Sequence, residues 1–123
     1  DNVRGQTQHF EPGEVIDAFL RGRVVSVDAS LVRLEYEGRS HTRSPGDQGR
    51  GVRVRLLGEA EFDLQAQRFR RFDLVALGER WGATRFNERR RQRETTGIGF
   101  VFRLGDGSTA ERVAPAAHWA YGW

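Results

Sequence analysis

The 123-residue chain carries 20 basic residues, all of them arginine, against 17 acidic ones, for a formal charge of +3, and it has neither cysteine nor methionine. Without cysteine it can form no disulfide and no thiolate metal site, which excludes a zinc-stapled small domain and fits an intracellular protein. Its length allows one modest core or two very small ones, and no apolar run approaches the roughly 20 residues of a membrane helix, so the chain reads as soluble with no membrane partner.

Starting at Asp1 with no methionine, the chain reads as a segment of a longer protein. Residues 1–9 are polar, lack apolar periodicity and predict a loosely attached lead-in. Residues 13–19 (Gly-Glu-Val-Ile-Asp-Ala-Phe) open the first structured stretch, followed by a buried-looking strand at Val24, Val25, Ser26 and Val27. Val32, Leu34 and Tyr36 then alternate with Leu31, Arg33 and Glu35, as a half-buried strand requires. Pro45, Gly46, Asp47, Gly49 and Gly51 predict a long loop over 40–51. Val52, Val54 and Leu56 alternate with Arg53 and Arg55 and predict the strand that closes this unit.

Residues 59–71 fit two patterns. Phe62, Ala66 and Phe69 suit a helical face, whereas Phe62, Leu64 and Ala66 suit a strand, and the segment is assigned as a connector. After it come Phe-Asp-Leu-Val-Ala-Leu at 72–77, Trp81, and the densest positive charge, Arg89, Arg90, Arg91 and Arg93. Ile98, Phe100, Phe102 and Leu104 give the clearest alternation in the chain. Gly105, Asp106, Gly107 and Ser108 then supply a tight reversal, predicting a hairpin into 110–114. Trp119, Tyr121 and Trp123 share one face if the tail is extended, where they close a groove or, more simply, pin the chain end.

Residues 72–112 repeat the plan of residues 13–36, and a repeat of this size sets the architecture. Short strands, frequent glycine and no long helix predict an all-β chain of two small SH3-like antiparallel barrels packed in tandem: 10–57, a connector at 58–68, and 69–123. The halves differ in charge. Residues 1–68 hold 10 arginines against 11 acids and residues 69–123 hold 10 against 6, so different partners are expected for each.

Asp17-Ala18-Phe19, residues 23–28 and residues 32–38, followed by Trp81-Gly82-Ala83, the arginine run, residues 100–107 and Glu111-Arg112-Val113, resemble the Tudor and chromo-barrel family in their order. The resemblance covers about residues 10–119 and is nearest to the tandem Tudor module of chromatin ubiquitin ligases and to the plant SAWADEE module. It implies a nuclear chromatin reader that holds a histone tail, in some members through a methylated lysine in an aromatic cage. Carried onto this chain, it places Tyr36 and Phe19 at cage positions, with Asp17, Glu37 and His41 beside them and Trp81 on the second unit. The SAWADEE zinc site needs cysteine, so no metal and no cofactor is expected.

Each candidate also has a plainer role. Tyr36 fits an ordinary half-buried strand position and Trp81 fits core packing. The arginine run fits a solvated excursion as well as contact with nucleic-acid phosphates or an acidic partner. His9, His41 and His118 share no metal or catalytic spacing, and Ser40, His41 and Ser44 have no assigned acid, so no enzyme is expected. The resemblance thus implies a histone-tail or other protein ligand at Asp17, Phe19, Tyr36, Glu37, His41 and Trp81. A nucleic-acid interface at the arginine run and a scaffold that reads no modification are the alternatives.

Overall fold

In the computed structural model, which describes residues 10–46, 49–82 and 94–112, the chain is all-β. A 3-10 turn, Pro12–Glu14, leads into β1 (Val15–Asp28), β2 (Leu31–Arg43), β3 (Gly51–Asp63), β4 (Arg68–Trp81) and β5 (Thr96–Arg103), followed by one helical turn, α1 (Thr109–Arg112). The strands form a single antiparallel sheet in the order β1-β2-β3-β4-β5, open at β1 and β5. Every neighbour in the sheet is a neighbour in sequence, so each connection is a hairpin.

Two barrels in tandem do not describe these residues. Residues 58–68 were expected to separate them, but they are the second half of β3, a four-residue turn and the start of β4, and the boundary at 57/58 falls inside a strand. Residues 40–43, expected in a loop, continue β2, because Ser40 pairs with Val54 and Thr42 with Val52. The hairpin expected after Ser108 is replaced by α1, which starts at Thr109 and is held by the Glu111 N–H donating to Ser108 Oγ. What remains of the repeat is two hairpins, β1-β2 and β4-β5, flanking β3.

Two faces follow from the register. Val24, Leu34, Ala60 and Phe72 lie side by side across four strands, and Leu20, Gly38, Leu56, Ala76 and Phe100 across all five. This is the apolar face, where Val54, Ala60, Leu74 and Ala76 are buried. Long side chains cover its glycines: Leu74 lies so close to Gly58 that an added Cβ would sit 2.7 Å from its Cδ1, and Tyr36 covers Gly22 in the same way. Above the small residues, Tyr36 meets Phe72 (ring centroids 5.6 Å apart), and Phe69 meets both Phe62 (5.2 Å) and Phe72 (6.0 Å).

Single-residue register shifts keep this face apolar where simple alternation fails. Val24 and Val27 are three apart and would project from opposite faces of a regular strand, yet they pair with Leu34 and Val32 on the same face, because Val25 is a bulge. The shift between Glu61 and Phe62 acts likewise on Phe72 and Phe69.

The tight turns sit at one end of the sheet. Asp63 Oδ1 accepts the N–H of Gln65 (2.9 Å) and of Ala66 (2.8 Å), building the β3-β4 turn, and these bonds hold its carboxyl below the ordinary value. Leu64 N–H donates to Ser30 O (2.8 Å), tying this turn to the one between β1 and β2. At the other end β2 ends and β3 begins, and β4 ends and β5 begins.

Candidate functional site

The second face is charged, and its arginines and carboxylates alternate from strand to strand. Arg23 meets Glu35 (2.5 Å) and Arg39 meets Asp17 between β1 and β2, while Arg33 meets Glu61 (3.5 Å) and Arg55 meets Glu37 (3.2 Å) between β2 and β3. Arg53 with Glu79 and Arg71 with Glu59 (3.7 Å) join β3 to β4, and Arg103 with Asp73 (3.5 Å) joins β4 to β5. Ion pairs therefore thread all five strands. They also resolve three like-charge juxtapositions in the register, Arg39 opposite Arg55, Glu35 opposite Glu59 and Glu59 opposite Asp73, which would otherwise destabilise the sheet. Asp73 accepts from Arg71 (2.7 Å), and with Glu59 behind it raises the Arg71 guanidinium above its ordinary value. Exposed as they are, such pairs each contribute little to stability.

Five of the six residues expected to form a ligand site lie on this face. Asp17 pairs in register with His41, and Phe19 with Arg39. Two guanidiniums lie over the Phe19 ring, Arg39 Cζ at 4.9 Å and Arg21 Cζ at 5.2 Å from its centroid. His41 meets the edge of Trp81, centroids 5.9 Å apart, and the indole lies over Gly51, where a Cβ would collide with it. Trp81 is thus a half-buried rim residue of the site face and not part of the apolar core.

Tyr36 is the exception. It pairs with Gly22 and Gly58 and belongs to the apolar face, whereas Phe19 belongs to the charged one. Successive residues of a strand project to opposite sides, and no register shift falls between Tyr36 and Arg39 to bring them together. The expected convergence of Phe19 and Tyr36 on one cation is therefore corrected: they cannot wall the same ligand. The arginine run Arg89, Arg90, Arg91 and Arg93, His9, His118 and the aromatic tail Trp119, Tyr121 and Trp123 lie outside the described residues.

The charged face also holds a group that alternation alone did not reveal. Leu57, Val75 and Val101 stand directly opposite one another on β3, β4 and β5, with Leu77 beside them on β4. Leu57 is 52% exposed, Leu77 62% and Val101 63%. Glu59, Asp73 and Arg103 flank this stripe on one side, Arg55, Arg53 and Glu79 flank it on the other, and Glu37 closes its β2 end. The sequence signal is an interruption of period two: Leu56-Leu57, residues 74–77 and residues 100–102 are continuous apolar runs, which place apolar side chains on both faces.

Two open depressions mark the same surface. The larger, about 1040 Å³, is lined by Arg21, Arg23, Glu35, Glu37, Leu57 and Val75 among others; the smaller, about 430 Å³, by Phe19, Glu37, Arg39, Arg55, Leu77 and Glu79 among others. They meet at Glu37. Among the described residues, no three His, Asp or Glu side chains gather to hold a metal ion. No family model, no curated protein and no solved structure matches the chain.

Proposed function

We propose that the chain is a non-catalytic module that binds another protein through the charged face of its sheet. The observation that carries the reading is the apolar stripe of Leu57, Leu77 and Val101, exposed around a half-buried Val75 on an otherwise charged surface and rimmed by arginines and carboxylates of both signs. An apolar centre with a polar rim is the anatomy of a protein interface, and charges of both signs suit a peptide more than a polyphosphate. The ligand that fits is an extended segment with one or two large apolar side chains flanked by acidic and basic residues. Phe19, with Arg21 and Arg39 over its ring, and the His41-Trp81 pair extend the surface toward the end of the sheet where β2 ends and β3 begins.

This reading keeps from the Tudor-like resemblance the protein ligand and drops the modified one. A methyl-lysine cage would require Phe19 and Tyr36 on the same side of the sheet. A histone tail is one candidate ligand, and it would be read as an unmodified, charged peptide.

Selection from a displayed library of random linear peptides tests the proposal. Peptides combining a large apolar residue with flanking charges should be enriched, and Leu77→Arg should weaken them roughly tenfold or more, as loss of a central contact does. Val24→Ser, on the other face, should leave their affinity unchanged. Equal binding by wild type and Leu77→Arg, or enrichment only of nucleic acid in a strongly salt-dependent manner, overturns it.

A further inference from the structure

The two edges of the sheet differ in a way that the peptide-binding reading does not use. β1 is a blunted edge: Asp17, Arg21, Arg23 and Asp28 punctuate it, and register shifts at Ile16 and Val25 break its outer line of peptide groups. β5 has neither protection. From Thr96 to Phe102 it carries no charge, its pairing with β4 is regular, and it is apolar on both faces, Ile98, Phe100 and Phe102 on one and Val101 on the other. Strands apolar on both sides are ordinarily interior strands. Here, among the described residues, β5 is the last strand of the sheet, with Phe100, Val101 and Phe102 exposed.

We infer that the free edge of β5 is a self-association surface, on which β5 of a second copy pairs antiparallel about a two-fold axis to give a continuous ten-stranded sheet. A second copy fits because the edge is complementary to itself. Centred on Phe100, the pairing sets Phe100 against its symmetry mate, Ile98 against Phe102, Val101 against Gly99 and Arg103 against Gly97, so no charge meets a like charge. A two-fold contact requires this of any strand that faces its own copy. Because an axis normal to the sheet keeps like faces on one side, the apolar face of one copy runs into that of the other.

Sedimentation equilibrium on the full chain from micromolar to millimolar concentration reads the outcome, with twice the mass of one chain expected at the upper end. Phe100→Lys sets a lysine directly against its own symmetry mate and should return the chain to a monomer; Leu57→Lys, on an interior strand, should leave the dimer intact while abolishing peptide capture. The second variant separates this inference from the binding proposal, since either can fail alone. Amide exchange within residues 97–103 supplies a measurement independent of any variant, and should slow as concentration rises. A wild type that stays monomeric throughout, a Phe100→Lys chain that still dimerises, or β5 exchange indifferent to concentration overturns the inference.

Discussion

Leu74 and Leu77 lie three residues apart on one strand and project from opposite faces, so truncating each in turn measures what each face does. Leu74 is 6% exposed and covers Gly58, whereas Leu77 is 62% exposed and rests against Gly99. Full burial of a leucine stabilises by about 1.5 to 3 kcal/mol, and truncation to alanine adds the cost of whatever cavity fails to collapse. On a face open toward solvent that cavity fills in part, so Leu74→Ala should cost about 2 to 3 kcal/mol. Leu77 keeps little more than a third of its surface from water, and Leu77→Ala should cost about 0.5 to 1 kcal/mol. Unfolding entropy of roughly 2.1 cal/mol/K per residue makes each kcal/mol about 4 °C in Tm for a chain of this length. Thermal unfolding followed by circular dichroism should therefore show a fall of about 8 to 12 °C for Leu74→Ala and no more than about 4 °C for Leu77→Ala. Peptide binding should show the reverse order, lost in Leu77→Ala and retained in Leu74→Ala below its Tm. Equal destabilisation by the two substitutions would refute the assignment of faces on which the site rests.

Two further substitutions probe local chemistry. The Asp63 carboxyl is held below its ordinary 3.8 first by the Ala66 N–H and then by that of Gln65, so its contribution to stability is complete above that value and is lost as pH falls through the lower folded value. Asp63→Asn keeps the acceptor and removes the titration: its stability should decline less than that of wild type below about pH 4 in urea unfolding, and superimposable pH profiles would discount the turn as its cause. Phe19→Leu retains apolar area but removes the ring face beneath Arg21 and Arg39, and should cost about 1 kcal/mol if each exposed contact contributes roughly half that; stability indistinguishable from wild type would show that the guanidiniums merely pass over the ring.

The strands themselves were legible in the sequence. Val32, Leu34 and Tyr36, then Val52, Val54 and Leu56, then Ile98, Phe100 and Phe102, all lie in strands with their apolar side chains on one face. The continuity of β3 and β4 through 58–68 was not legible, because the register shift between Glu61 and Phe62 puts Phe69 and Phe72 on one face at a spacing that resembles a helix. Residues 40–43 escaped for a different reason: Ser40 and Thr42 carry little apolar signal, and only their partners Val54 and Val52 hold them in the sheet. At the site, chemical type was legible and side was not. Asp17, Phe19, Glu37, His41 and Trp81 share a face, and Tyr36 is excluded from it by one residue of parity.

The strictly sequential strand order also governs how the sheet comes into being. No strand must wait for a distant part of the chain, so the entropy of loop closure is spent in small steps and each finished hairpin templates the next. Two turns lie at the same end and share the hydrogen bond from Leu64 to Ser30, which places the Phe62, Phe69, Phe72 and Tyr36 rings near the earliest closures. The β1-β2 and β3-β4 hairpins close first and β5 is added last, so the edge that finishes the sheet is the one from which it can be lengthened or undone without disturbing its middle.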